Sequence, residues 1–188
     1  MRFLSRQRRL LIAVLTVPAL QLLLGAFLPA QAAEATLDSS DNTLLLISAA
    51  MVLLMTPGLA FFYGGFVQGR NVLNTMAMSF VMMGIATLVW ATFGFSLAFA
   101  DGGAAQAVVG NPFTFALLER LPEVWDGLAV PGLTFALFQG MFAIITPALI
   151  VGAYPERIKF GAVLLFSALW LVIVYAPVTH WIWGGGWL

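Results

Sequence analysis

Long apolar runs separated by short polar punctuation set the plan of this chain. No Asp, Glu, Lys or Arg occurs in residues 10–33, 42–69, 71–100, 127–155 or 160–188. Each run exceeds the about 20 residues with which an α-helix crosses a hydrocarbon core about 30 Å thick. A sixth uncharged run, 102–118, is shorter and broken by Gly110-Asn111-Pro112; it reads as a loop with a short or re-entrant apolar piece. Setting the first run aside, the pattern predicts helices at about 42–67, 72–99, 131–154 and 158–179. Asn42 is placed to cap the first, and Pro131 sits where a first-turn proline is tolerated. Thr56-Pro57-Gly58 and Thr146-Pro147 fall inside predicted spans, where neighbouring helices or nearby hydroxyls must satisfy the backbone groups that proline frees. Gly64, Gly65 and Gly84 are expected to let backbones approach closely.

Composition agrees with this plan. Of 188 residues, 62 % are apolar and 9 % charged, against about 25 % charged in a soluble domain. The fold class expected is all-α: a polytopic helical membrane protein with four transmembrane helices. The first run differs from the rest. Arg2, Arg6, Arg8 and Arg9 precede an apolar stretch that ends at Ala30-Gln31-Ala32, the layout of a secretory signal peptide. We therefore expect a signal peptide over 1–32, with an uncleaved anchor as the alternative, and a membrane domain over 33–188. The loop charges then orient the spans. The 68–71 connection carries Arg70 and no acid, and the 155–159 connection carries Arg157 and Lys159 against Glu156. The long connection between them holds Asp101, Glu119, Glu123 and Asp126 against Arg120. Basic loops stay cytoplasmic, so the N-terminus, after signal cleavage, and the 101–126 loop are expected outside.

The residues available for chemistry are few. There is no cysteine and one histidine, so thiolate sites and histidine metal clusters are not expected, and no cofactor is assigned. Eight basic and eight acidic residues balance, which argues against a nucleic-acid surface. The spans hold no ionisable side chain besides Tyr63, Tyr154, Tyr175 and the terminal His180, so an enzyme is not expected. What the spans offer is aromatic rings, and most of those face lipid or neighbouring helices. Two groups stand out. Phe138 and Phe142 lie four apart on one helix face, beside Gln139. Trp181, Trp183 and Trp187 crowd Gly184-Gly185-Gly186 at the same predicted depth. With no carboxylate in either group, an aromatic pocket there suits a small cation, because ring faces attract cations by about 0.5–1 kcal/mol when exposed and about 2 kcal/mol when desolvated.

Four stretches carry a resemblance. They are Met55 to Gly65 (MTPGLAFFYGG), Arg70 to Thr75 (RNVLNT), Met141 to Leu149 (MFAIITPAL) with Glu156-Arg157, and His180 to Gly186 (HWIWGGG). In this order the chain resembles the ammonium transporter family, which groups ammonium transporters, methylammonium permeases and Rhesus proteins. The resemblance runs from about Asp41 to the last residue. It implies ammonium transport in a multi-pass protein of the inner (plasma) membrane, with ammonium or ammonia as substrate and methylammonium as an analogue. It further implies a homotrimer in lipid with a pore in each subunit, and a nitrogen-signalling regulator as a partner of a complete member. Phe138, Phe142 and Trp183 match the family's outer aromatic site, with Phe142 also at the outer gate. Tyr63 matches a position toward the cytoplasmic end of the pore, and Ile145 and Leu149 match pore-wall positions. The family's pore histidines and supporting aspartate follow the Trp-Gly-Gly-Gly motif, so the chain reads as the truncated N-terminal part of such a protein. His180 belongs to the outer-mouth motif and is expected to cap the fourth span at the interface. A non-transporting membrane remnant, or an ammonium-sensing or regulatory subunit, is the alternative.

Overall fold

The computed structural model describes residues 36–188, and the predicted signal peptide at 1–32 lies outside the described residues. Four helices are long and apolar enough to cross a membrane: α1 (Ser39–Gly64), α2 (Gly69–Phe99), α3 (Gly132–Ala153) and α4 (Phe160–Trp183). No strand occurs among the described residues. Chains this apolar satisfy their backbone groups within helices, since hydrocarbon offers no partner for an exposed N–H or C=O. Half of α3 is buried inside the bundle, against 17–28 % of the other three. The third helix is therefore the central element, and the other three leave wide apolar faces uncovered.

The helix ends depart from the sequence reading at three places. Asp38, and not Asn42, caps α1: its carboxylate accepts from the N–H of Ser40 at 2.6 Å and of Asp41 at 3.2 Å. Those hydrogen bonds to backbone hold its carboxyl below the ordinary aspartate value, as expected for an anion at a helix N-terminus. Pro131 precedes the first turn of α3 as its cap residue, with an extended backbone. The fourth helix continues beyond residue 179 to Trp183, which makes His180, Trp181 and Trp183 helical.

Neither α2 nor α4 is regular throughout. Each contains one π turn, Trp90–Gly94 in α2 and Leu171–Tyr175 in α4. Pro177 follows the second after Ala176, and a wider turn accommodates a ring that cannot donate a hydrogen bond and crowds the preceding turn. The two π turns meet through Trp90 and Tyr175, whose ring centroids lie 6.0 Å apart at 61°. Of the three glycines expected at close approaches, only Gly64 is at one, where an added Cβ would come within 2.9 Å of the Met76 side chain. Gly84 faces open space, and Gly65 has only its own helix nearby.

Two apolar cores result. One, toward the end bearing the 100–131 loop, gathers Trp90, Phe95, Ala98, Phe135, Ile144 and Leu171. The other, toward the end bearing Arg70, Arg157 and Lys159, is built from Met78, Met82, Val151, Tyr154 and Val163. Between residues 100 and 131 the chain forms turns and two three-residue 3₁₀ helices, Gly103–Ala105 and Ala116–Leu118. That loop closes over the first core through Phe115, Leu118, Leu121 and Trp125.

Candidate functional site

Phe138 and Phe142 do share a face of α3, as their spacing requires, with ring centroids 5.1 Å apart in an edge-to-face arrangement. Pro147 deprives the helix of one N–H, and the Thr146 hydroxyl donates to the Phe142 carbonyl at 2.6 Å. The face carrying Phe142 opens on a cavity of about 310 Å³. Its walls include Phe142 and Thr146 from α3, and Tyr175, Val178, Thr179 and Trp183 from α4. No carboxylate lines it. Thus Phe142 and Trp183, distant in sequence, converge on one space, while Phe138 touches that space only through Phe142. Gln139, next to these rings, keeps a buried Oε1 without a hydrogen-bond partner.

The expectation of a doorway free of fixed negative charge is corrected one step further out. Trp183 also borders a second cavity of about 660 Å³, shared with Asp101, Gln106, Trp125 and Asp126. Asp101 and Asp126 come from opposite ends of the 100–131 loop, which folds back over the bundle and brings them to one vestibule. Two acids separated by 25 positions gave no signal of proximity in the sequence. The aromatic cavity is acid-free, and its approach is not.

Tyr175 was also not anticipated as a wall of this space. It ends the Leu171–Tyr175 π turn and stands four and eight residues before Thr179 and Trp183, on the same face of the helix.

The histidine is placed differently from the expected interfacial cap. His180 is fully buried. Its Nδ1 lies 2.9 Å from the Ala98 carbonyl and its Nε2 lies 2.8 Å from the Gln106 carbonyl. It joins α4 to the end of α2 and to the loop that follows, and it lines neither the aromatic cavity nor the acid-bearing one.

At the opposite end, Tyr63, Phe66, Gln68, Gly152 and Glu156 line a cavity of about 560 Å³. The Tyr63 hydroxyl donates to the Leu149 carbonyl at 2.9 Å, so Tyr63 and Leu149 meet through hydroxyl and backbone. The Leu149 side chain is 50 % exposed on the open face of α3, whereas Ile145 is buried in the bundle. Glu156 Oε1 accepts from Asn71 Nδ2 at 2.7 Å and from the Gln68 N–H at 3.1 Å. These two bonds, and then the charge of Arg70, hold the Glu156 carboxyl below the ordinary glutamate value. The bonds tie the α1–α2 connection to the α3–α4 connection. The motif residues Asn71 and Glu156 are therefore partners in structure, which their separate positions in the sequence did not disclose.

Comparisons with known proteins agree over nearly the whole described region. The model of the Ammonium Transporter Family matches residues 43–188. A protein of Aquifex aeolicus named ammonium transporter is 44 % identical over 160 residues, covering 85 % of this chain and 37 % of that protein. An ammonium transporter of Bacillus subtilis is 43 % identical over 164 residues, covering 81 % of this chain and 37 % of its own length. Among solved structures, Mep2 of Saccharomyces cerevisiae superposes with a TM-score of 0.73 at 28 % identity, over 81 % of this chain and 34 % of that one. Mep2 of Candida albicans gives 0.72 at 32 % identity, over 81 % and 33 %. The chain spans little more than a third of the length of these relatives.

Proposed function

We propose that the complete protein carries ammonium across a membrane, because this chain belongs to the Ammonium Transporter Family. The observation that carries the reading at the level of residues is the convergence of Phe142 and Trp183, from different helices, on one apolar cavity. Ring faces bind a small cation there with about 2 kcal/mol once water is displaced, and Phe138, edge-on to Phe142, supports its orientation. A bare cation does not continue from such a site into hydrocarbon, where a charge at the centre of a span costs about 3 kcal/mol or more. Separating the proton from ammonia, with groups outside this chain, avoids that cost. Tyr63, Ile145 and Leu149 belong to the wall of the path toward the other end.

The orientation in the membrane follows from charge. The end bearing Arg70, Arg157 and Lys159 faces the cytoplasm, and the end bearing Asp101 and Asp126 faces outward. Residues 1–32 act as a signal peptide that directs the multi-pass protein to the plasma membrane, the inner membrane of a bacterial cell. The uncovered apolar faces of α1, α2 and α4 are met by lipid, by further helices and by two other subunits of a homotrimer. A nitrogen-signalling regulator docks on the cytoplasmic side of the complete protein.

Uptake of labelled methylammonium by cells lacking their own ammonium transporters tests the reading. The complete protein gives saturable uptake that ammonium competes away. Membrane-inserted protein that binds methylammonium without uptake would replace transport by sensing, and neither binding nor uptake would end the proposal.

A further inference from the structure

Trp183 holds its place without a tether of its own. It stands in the last turn of α4, is 60 % exposed, and forms a wall of both outer cavities. Helix ends fray because their last carbonyls have no partner within the helix, and a ring in such a turn is poorly fixed over a cation. We propose that His180 and Gln106 form a latch that positions Trp183, and that this latch sets the apparent affinity of the outer cation site. The inference rests on the outer-site reading given above.

The geometry brackets Trp183 from both sides. Three residues before it, the buried His180 ring lies against the Ala98 and Gln106 carbonyls. Two residues before it, Trp181 Nε1 donates to the Val108 carbonyl at 2.7 Å. Just after it, Gln106 Nε2 donates to the carbonyls of Gly184 and Gly185 at 3.2 and 3.1 Å. These carbonyls lie just past the last helical residue, and the last turn itself is closed by the Gly184 and Gly186 N–H groups donating to the His180 carbonyl and the Leu188 N–H to that of Trp181. The Gln106 side chain is itself fixed, since its Oε1 accepts from the Gly102 N–H at 2.5 Å. Gly184 packs so closely that a Cβ there would overlap the Ala98 carbonyl oxygen, and Gly185 turns with φ +81°. Segment 98–108 thus grips 180, 181, 184 and 185 and leaves Trp183 projecting between them.

Neither His180 nor Gln106 lines the aromatic cavity; Gln106 borders the wider outer cavity beside Trp183, and the Trp183→Ala background below separates its action through Trp183 from any action on that approach. A loosened latch leaves the pore walls in place and lets the Trp183 ring leave its working position, which weakens recruitment without slowing passage.

The test is a double-mutant cycle in the complete protein, read as the half-saturating methylammonium concentration and the maximal uptake per transporter in the membrane. Gln106→Ala raises half-saturation about threefold to tenfold and changes the maximal rate less than twofold. Trp181→Phe, which removes the bond to Val108 and keeps an aromatic ring beside Trp187, gives a smaller rise and serves if Gln106→Ala does not accumulate. In a Trp183→Ala background neither substitution adds anything. A fall in maximal rate at constant half-saturation, or effects that multiply with Trp183→Ala, overturns the latch. Trp183→Ala that leaves half-saturation unchanged instead overturns the outer-site reading, so the two failures are distinct.

Discussion

Two groups of aromatic rings occupy the same end of the bundle and do opposite things. Around Phe95, which is fully buried, lie Trp90, Phe99, Phe115, Trp125 and Phe135 with centroid distances of 5.2 to 6.3 Å. Trp125 and Phe135 stack at 4.4 Å and 18°, and Trp90 Nε1 donates to the Ala136 carbonyl at 3.0 Å. Phe95 itself is closed in by rings, whereas Phe99, Phe115 and Trp125 also border the acid-bearing outer cavity. Phe142 and Trp183 face each other across open space instead. Both groups are Phe and Trp on membrane helices, so residue type does not separate binding from packing. What separates them is whether a ring is wholly buried, as Phe95 is, or opens on a cavity, as Phe142 and Trp183 do.

That contrast breaks if the closed cluster behaves like the open one. Phe95→Ala removes a ring with five aromatic neighbours, and truncations of this kind cost about 3–5 kcal/mol. We expect thermal unfolding at a markedly lower temperature and less protein in the membrane, with the half-saturating methylammonium concentration of the surviving protein unchanged. A changed half-saturation at normal stability would place Phe95 in the cation path. Gly140→Ala is milder. Its Cβ would come within 2.9 Å of Trp90 Cδ1, and overpacking a fitted site costs about 1–3 kcal/mol. The same thermal assay should show a smaller loss, again without a shift in half-saturation.

Much of this was legible in the chain. The four spans follow from charge-free runs, and a lipid-exposed backbone leaves helix as the solution for a single crossing segment. Spacing placed Phe138 and Phe142 on one face, and the family motifs pointed to Trp183. Three things were hidden. The π turns of α2 and α4 have no periodic signal. The vestibule containing Asp101 and Asp126 depends on how an irregular loop folds back. The role of His180 depends on carbonyl oxygens of residues 98 and 106, and any sequence supplies carbonyls. Side-chain chemistry can be read along a chain, but backbone partners become visible only in three dimensions.

The remaining predictions concern weaker effects. On acidification, the Glu156 link between the two basic connections outlasts an ordinary glutamate, because its hydrogen bonds hold the carboxyl below the usual value. Its stabilising contribution is present above the ordinary value and is lost as pH falls through the lower, folded one. Protection of the Gln68 amide from hydrogen exchange, relative to its intrinsic rate at each pH, should therefore fall only below the ordinary glutamate value, and in Glu156→Gln should already be lower at neutral pH. Loss of protection beginning above the ordinary glutamate value would contradict the assignment. Phe113→Ala should do least. This ring is 78 % exposed in the outer loop, and neither uptake nor thermal stability is expected to move measurably.

The most direct test replaces the ring and keeps an apolar side chain. Phe142→Leu leaves a branched aliphatic group at the cavity and removes the π face. In the complete protein, half-saturating methylammonium should rise about tenfold, the equivalent of about 1.4 kcal/mol of cation–π attraction, with Phe138→Leu giving a lesser rise. An unchanged half-saturation in Phe142→Leu would mean that the cavity selects by size alone, and that its rings do not hold the cation.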